Sequence, residues 1–326
     1  MSVSELIYAT TDSQLLHGLL AKKVYRMTER FRVLILGYGE MGHAMEYLLR
    51  ERQQLDIWEK YPQDNFRSVV LEDAAPLADI VLFCLPVNPH REIVKQIAPL
   101  LKNTCLCLSI AKGLDETGQT AAQIFAEVLE SHQAYGLLYG PMISEEIRAG
   151  RYAFGQLGCS NTDSYHKVHE LYHGTRLFIE HTLDITGISW SVILKNVYAM
   201  VFGMADELQL GDNVRGYLSV AALRELDQIV CKMGGQAGSP YHLAGLGDLI
   251  TTATSEDSHH HELGRMLARE ETRSIEGEGI HTLEMINQHR LFKTEDYPLF
   301  QLIHDIVRNS RDANKRIDGY LQKVYS

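Results

Sequence analysis

The sequence predicts an α/β protein with a doubly wound parallel sheet, followed by an all-helical C-terminal domain. Two observations lead to this prediction. Between residues 31 and 186, short apolar runs alternate with amphipathic segments, which is typical of parallel strands covered by helices on both faces. After Gly187 these runs stop, and long segments of helical periodicity replace them. We therefore expect a sheet domain over residues 31–186 and a helical domain over residues 187–326.

The elements follow in chain order from the period of their apolar residues. Strands are expected at residues 31–36, 55–58, 79–85, 104–108, 136–139, 153–159 and 177–181. Helices are expected between them at 40–50, 91–101, 119–129 and 163–172, and in the second half at 188–208, 214–233, 261–269 and 301–325. Residues 1–30 carry leucines at helical spacing, which predicts a helical arm that packs on the body or on a partner subunit.

The charge balance and the cysteines limit the class of protein. The 326 residues include 31 Lys and Arg against 42 Asp and Glu, a formal net charge of −11. A broad basic surface for nucleic acid is therefore not expected, although a local basic pocket for a small anion fits this balance. No uninterrupted apolar stretch reaches the ~20 residues that span a bilayer, so no membrane association is expected. The five cysteines are odd in number and fall mostly in apolar runs, which predicts free thiols in a cytoplasmic protein.

A glycine-rich loop follows the first predicted strand and opens the next helix. Gly37 permits a tight turn, Gly39 lets the backbone approach a pyrophosphate, and Gly42 lets helix and strand pack closely. The helix N-terminus, at Glu40 and Met41, then offers free N–H groups to the phosphates. Because the loop lies between a strand and a helix, it predicts a Rossmann-type dinucleotide site.

An acidic residue ends the second predicted strand. Glu59 lies 20 residues after Gly39, where a carboxylate can accept hydrogen bonds from both ribose hydroxyls and would repel a 2′-phosphate. This favours NAD over NADP, although Lys60 or Arg67 is able to swing toward a phosphate. The alternative is a solvated acid at a strand end.

Lys195 and Asn196 interrupt a predicted helix that is apolar nearly all round. Such a helix is buried, and a lysine is rarely buried without a partner or a task. Burial favours the neutral amine and suits it to exchange a proton with a hydroxyl or carbonyl oxygen. The alternative is a lysine whose amine reaches the surface along its aliphatic stem.

Lys112 and Asp248 are the two further candidates for a catalytic site. Lys112 follows a predicted strand at its carboxyl end, where open α/β sheets bind ligands, but surface-loop lysines are also common. Asp248 follows two glycines inside an apolar segment, so it either meets a ligand or caps a helix.

Together these residues resemble the NAD(P)-dependent sn-glycerol-3-phosphate dehydrogenase family, from about residue 31 to the end of the chain. The pair of motifs around Lys195-Asn196 and Gly245-Leu246-Gly247-Asp248 is the specific part of this resemblance. The other matching stretches are the glycine loop, Ala111-Lys112-Gly113, Tyr139-Gly140-Pro141, Gly211-Asp212-Asn213 and Glu278-Gly279.

The resemblance implies hydride transfer between nicotinamide C4 and the C2 carbon of glycerol 3-phosphate or dihydroxyacetone phosphate. It implies Lys195 as general acid/base, Lys112 as a substrate ligand that polarises the C2 oxygen, and Asp248 as the charge that orients the lysine. It further implies a helical domain like the C-terminal domain of 6-phosphogluconate dehydrogenase. The remaining implied positions are Lys112, Ser144 and Glu278 at the cofactor, and Gly140, Asn196, Ser258, His259 and His260 at the substrate.

The chain departs from this family where the substrate phosphate is held. The family usually has Ser-Arg-Asn, but this chain has Ser258-His259-His260, followed by His261. We expect a solvated histidine run or a protonated histidine that holds the phosphate. A zinc site is disfavoured, since consecutive helical histidines cannot all face one metal. Smaller departures are Met142-Ile143-Ser144 and a glutamate, Glu40, beside the expected pyrophosphate.

Two other functions compete with this interpretation. The first is the same chemistry on a different hydroxy or keto substrate, and the second is a protein that senses NADH without turnover. The apolar helical half also predicts a homodimer.

Overall fold

The computed structural model of the chain describes residues 30–63, 66–255, 258–271 and 276–323. The expected arm at residues 1–30 therefore lies outside the described residues except for Arg30. The strands form one seven-stranded sheet in the order β2-β1-β3-β4-β5-β6-β7. They are β1 (Arg32–Leu36), β2 (Gln54–Trp58), β3 (Ile80–Phe83), β4 (Leu106–Ser109), β5 (Ala134–Tyr139), β6 (Ala153–Cys159) and β7 (Leu177–Thr182).

The sheet confirms the predicted α/β class, with one correction. Neighbouring strands are parallel except for β5 and β6, which are antiparallel, with Tyr139 opposite Gln156. The chain leaves β5 at the carboxyl edge of the sheet and re-enters it from the same edge. The sequence could not reveal this reversal, because a buried apolar run has the same pattern in either direction.

Helices flank the sheet and then form the second half of the chain. Those within the sheet region are α1 (Glu40–Leu49), α2 (Leu71–Ala74), α3 (His90–Ile97), α4 (Ala121–Val128), α5 (Ser144–Arg148) and α6 (Thr162–Leu171). Those that follow are α7 (Ile185–Glu207), α8 (Asp212–Lys232), α9 (Asp248–Thr254), α10 (His259–Ala268), α11 (Glu278–His289), α12 (Pro298–Arg308) and α13 (Ala313–Lys323).

Helix α7 is the axis of the helical half and is buried from Gly187 to Ala205. It packs on α8, α10 and α11, and its core is continuous with one face of the sheet. Its 23 residues are long and apolar enough to cross a bilayer, but 89% of its most apolar window is buried inside the fold. The helix therefore has the environment of a core helix.

Several boundaries differ from the sequence predictions. The single helix expected at residues 301–325 is two helices, α12 and α13, broken before Asp312, whose φ is 54°. Helices α2, α5, α9 and α11 were not predicted, because three of them have seven residues or fewer and α11 follows a polar segment. All five cysteines are free, as expected, although Cys231 is exposed.

Candidate active site

The glycine loop joins β1 to α1, and each glycine meets a different environment. Gly37 has φ of 92°, and a Cβ there would lie 2.6 Å from Leu85. A Cβ on Gly42 would lie 2.3 Å from the Gly37 carbonyl oxygen, so this position allows the helix to pack on the turn. A Cβ on Gly39 would meet nothing within 4 Å, and no side chain caps the first N–H groups of α1. The loop therefore fits a dinucleotide diphosphate at Gly39.

Glu59 lies immediately after β2, beside this loop. Its Oε2 accepts from the Tyr38 N–H at 2.8 Å and its Oε1 from the Tyr61 N–H at 3.2 Å. Each carboxylate oxygen still has a lone pair for a further donor, such as a ribose hydroxyl. Lys60 and Arg67, the two cations that could swing toward a 2′-phosphate, are both exposed.

The two candidate lysines meet at one carboxylate. Asp248 Oδ2 lies 2.7 Å from Lys112 Nζ and 3.2 Å from Lys195 Nζ. Lys195 is 3% exposed and also donates to Thr252 Oγ1 at 2.5 Å, while the Thr252 hydroxyl donates to the Asp248 carbonyl. As an ammonium, Lys195 thus keeps one of its N–H groups for another acceptor. Lys195 does not reach the surface, so the alternative interpretation for this residue is wrong.

Burial and pairing set the proton affinities of this cluster. Burial lowers the pKa of Lys195 to about 8, against the opposing effect of Asp248. Burial alone would raise the pKa of Asp248, but the charges of Lys112 and Lys195 outweigh it and hold that pKa below its ordinary value. Asp248 is therefore ionised at neutral pH. The pKa of Lys195 lies near enough to neutral pH for its amine both to release and to accept a proton.

Helix α9 and the turn before it position Asp248. The π-helical turn Leu243–Gly247 packs so closely that a Cβ on Gly245 would lie 2.1 Å from the Pro240 carbonyl oxygen. Asp248 is the first residue of α9, and its side chain makes no capping hydrogen bond. Of the two roles considered for this acid, the structure excludes the helix cap.

A buried hydrogen-bond chain, which the sequence did not reveal, holds the Lys112 loop. His90 Nδ1 bonds the Pro86 carbonyl at 2.9 Å, so its Nε2 is the acceptor for the Ser109 hydroxyl at 3.0 Å. Ser109 Oγ accepts from the Ala111 N–H, and the Tyr139 hydroxyl donates to the Ala111 carbonyl at 2.8 Å. Side chains therefore hold both the N–H and the carbonyl of Ala111, the residue before Lys112.

A small cavity of about 190 Å³ opens onto this cluster. Lys112, Lys195 and Asp248 line it, and Asn196 lines it from the next position of α7. Asn196 Nδ2 donates to Glu278 at 3.1 Å, whereas its Oδ1 is buried without a hydrogen-bond partner. An unpaired buried acceptor on a residue that lines a polar cavity is an unmet hydrogen-bonding capacity next to the place where a ligand would bind.

Comparison with known proteins identifies the family. Sequence profiles described as the N-terminus and the C-terminus of NAD-dependent glycerol-3-phosphate dehydrogenase match residues 60–164 and 184–318. A Mycobacterium tuberculosis protein named glycerol-3-phosphate dehydrogenase [NAD(P)+] 1 is 30% identical over 260 residues, covering 72% of this chain and 76% of that protein. The chain belongs to the glycerol-3-phosphate dehydrogenase family.

More distant matches extend over nearly the whole chain. The Saccharophagus degradans protein named glycerol-3-phosphate dehydrogenase [NAD(P)+] is 25% identical and covers 90% of this chain and 91% of its own. The Coxiella burnetii glycerol-3-phosphate dehydrogenase structure has a TM-score of 0.77 at 22% identity, covering 90% of this chain and 99% of that chain. The N-terminal profile match begins at residue 60, so the glycine loop lies outside it.

The histidine run departs from the expectations of the sequence. His259 is exposed and bonds the Glu276 carbonyl, whereas His261 is buried against Asp206 at 2.8 Å. His260 accepts the Gly279 N–H at Nε2, and burial with the nearby charge of Lys195 lowers its pKa to about 3. His260 is therefore neutral, and both the solvated run and the protonated phosphate ligand are wrong for it. No group of three metal-ligating side chains occurs within the described ranges.

Of the remaining implied positions, Ser258 and Glu278 line the cavity, whereas Gly140 and Ser144 do not. Ser258 caps α10 by accepting the His261 N–H, and it lines the cavity. Gly140 has φ of 150°, and a Cβ there would lie 2.5 Å from the Phe154 carbonyl oxygen, so close packing on β6 explains this glycine. Ser144 is buried at the start of α5 and donates to Glu145. Glu278, an exposed residue, begins α11 and also lines the cavity.

Proposed function

We propose that the protein is an NAD(P)-dependent glycerol-3-phosphate dehydrogenase, which transfers hydride between the nicotinamide and the C2 carbon of dihydroxyacetone phosphate or glycerol 3-phosphate. The observation that carries this proposal is the buried Lys195, paired with Asp248 beside a small polar cavity at the carboxyl edge of the sheet. The bound nicotinamide supplies the hydride.

The protein's own residues supply the proton and the charge. Lys195, as an ammonium, donates to the C2 oxygen during ketone reduction, and as a neutral amine it removes the hydroxyl proton in the reverse direction. Lys112 lies against the same carboxylate and polarises the C2 oxygen. Asp248 stays ionised and keeps the ammonium form of Lys195 accessible near neutral pH. Asn196, whose Oδ1 has no partner in this arrangement, accepts a substrate hydroxyl after a small turn of its amide toward the cavity.

The cofactor preference follows from Glu59. Its half-buried carboxylate would repel a 2′-phosphate, so we propose NAD as the preferred cofactor. We expect Glu59→Gln to lower the ratio of kcat/KM for NADH to kcat/KM for NADPH about tenfold, because the amide removes this repulsion at nearly constant shape. Initial rates with both cofactors measure the ratio. An unchanged ratio would place the 2′-hydroxyl away from Glu59.

One observation favours a second candidate, the same chemistry on an unphosphorylated hydroxy or keto substrate. Among the described residues that line the cavity, the only cations are Lys112 and Lys195, and both already pair with Asp248. The neutral His260 adds no charge for a phosphate dianion. A neutral imidazole is a weaker phosphate ligand than a guanidinium.

NADH oxidation with dihydroxyacetone phosphate, dihydroxyacetone and short 2-keto acids separates these candidates. We expect turnover with dihydroxyacetone phosphate and a KM at least about tenfold lower in the double variant His259→Arg/His260→Asn, which restores a bidentate phosphate ligand. Higher kcat/KM on dihydroxyacetone or a keto acid would favour the second candidate. NADH binding without oxidation by any ketone would indicate an NADH sensor.

We further propose that the enzyme is a cytoplasmic homodimer. Five free cysteines support a reducing compartment, and the apolar helical half supports association through helix packing.

A further inference from the structure

An ion pair lies at the edge of the glycine loop, between residues far apart in the chain. Arg148, the last residue of α5, places a guanidinium nitrogen 2.7 Å from Oε2 of Glu40, the first residue of α1. The two side chains are 40% and 62% exposed. A pair this open to solvent adds little to stability, so stability does not account for it.

The charge of Glu40 is unfavourable where it stands. The N–H groups of the first turn of α1 are uncapped, and this is the position at which the fold holds the cofactor diphosphate. A carboxylate on the first helical residue adds negative charge beside two phosphates. Arg148 offsets that charge within hydrogen-bond distance, and its fork of five N–H donors is not used up by one carboxylate oxygen.

We propose that Arg148 binds the diphosphate of the cofactor, and that Glu40 holds the guanidinium beside the loop when the cofactor is absent. On binding, the guanidinium exchanges a carboxylate oxygen for phosphate oxygens, which it is able to contact in bidentate fashion. Arg148 is thus a binding residue for NAD(H) that the glycine loop alone does not supply. The proposal rests on the nucleotide site of the proposed function.

The alternative role is a simple latch between α1 and α5, and the two roles predict different signs. If the pair is only a latch, removing either partner breaks the same contact and changes cofactor affinity in the same direction. If Arg148 binds the diphosphate, its removal weakens binding, whereas removal of Glu40 takes away a repulsive charge and strengthens it.

The test is NADH titration of the full chain, followed by the change in nicotinamide fluorescence. We expect Arg148→Gln to raise the Kd about five- to tenfold and to reduce its salt dependence, and Glu40→Gln to lower the Kd about threefold. Arg148→Lys should fall between wild type and Arg148→Gln. Arg151→Gln is the matched control, because Arg151 pairs with Glu146 at 3.0 Å nearby on the same surface, and it should leave the Kd unchanged.

Competition by ADP and by adenosine locates the contact. Arg148→Gln should weaken ADP and leave adenosine unchanged, since only ADP carries the diphosphate. An unchanged Kd in Arg148→Gln, or equal losses in Arg148→Gln and Glu40→Gln, would overturn this inference alone. A wild-type protein that binds no NADH would overturn the proposed function and this inference with it.

Discussion

Replacing Lys195 by methionine is expected to lower kcat for ketone reduction about 10³-fold, while the Kd for NADH stays unchanged. Methionine keeps the length of the side chain in a position that is 3% exposed, so the helix packs as before. The loss follows because the substituted side chain has no proton to give to the C2 oxygen. Steady-state rates and NADH fluorescence titration measure the two quantities separately.

The pH dependence of the wild-type enzyme gives the same prediction a second readout. Because the pKa of Lys195 is lowered to about 8, its ammonium form is lost as the pH rises through that value. Reduction needs the ammonium, so its kcat/KM should fall above about pH 8, whereas alcohol oxidation needs the amine and should rise over the same range. Lys195→Arg keeps the charge but cannot release a proton. It should therefore abolish both the fall of the reduction rate and the rise of the oxidation rate above about pH 8.

Lys167 offers the matched control. Its pKa is also lowered by burial, and its amine donates to the Thr104 carbonyl at 2.7 Å, at the opposite edge of the sheet from the cavity. Lys167→Met should leave kcat and the pH profile as in wild type. Equal losses of kcat in Lys195→Met and Lys167→Met would show that Lys195 is not the proton donor. So would a change of rate near pH 8 that persists in Lys195→Met.

Local patterns were sufficient to predict most of the fold. Apolar runs located all seven strands to within a few residues, and the unbroken apolar surface of α7 predicted that Lys195 is buried. These patterns could not predict the direction of a strand, as β6 demonstrates, or the presence of a short helix, as α9 demonstrates. Both features depend on how the chain packs after it leaves a strand, and the spacing of apolar residues within a short segment does not predict this packing.

The sequence predicted which residues form the candidate site, but not which of their side chains contact each other. Lys112 and Asp248 are 136 residues apart, and only the fold brings the amines of Lys112 and Lys195 onto one oxygen of the Asp248 carboxylate. His260 shows the same limit, because its neutral state depends on the Gly279 N–H and on the charge of Lys195. The positive charge that the residue type allows at His260 is thus removed by partners that the sequence does not identify.

Replacing Asp248 by asparagine is the second substitution with a large expected effect. It removes the charge that lies within 3.2 Å of both lysine amines and changes little in shape. Lys195 then faces burial and the charge of Lys112 with only the weaker opposing effect of Glu278, so its pKa should fall by a further ~1–2 units. At pH 7 the loss of the ammonium form by itself lowers kcat for ketone reduction by up to about tenfold, and the loss of the carboxylate that orients the amine brings the expected total to about 10²-fold.

The shift of Lys195 also determines how this loss varies with pH. Lowering the pH restores the ammonium, so the variant should regain part of its reductive rate between roughly pH 7 and pH 6, where the wild-type rate is flat. The free energy of unfolding should drop by about 3 kcal/mol, because one partner of a buried ion pair is lost. Urea denaturation and pH–rate profiles measure the two effects.

Glu225 separates the electrostatic effect from loss of packing. It is also a buried acid against α7, where it accepts from the Tyr198 hydroxyl at 3.0 Å and from the N–H groups of Leu299 and Phe300, and none of its partners in the described part of the chain is a lysine. Glu225→Gln should therefore lower stability and leave the pH profile in place. If Asp248→Asn lost stability alone, with the wild-type profile retained, the proton affinity of Lys195 would be set by burial, and Asp248 would serve only to hold α9 in position.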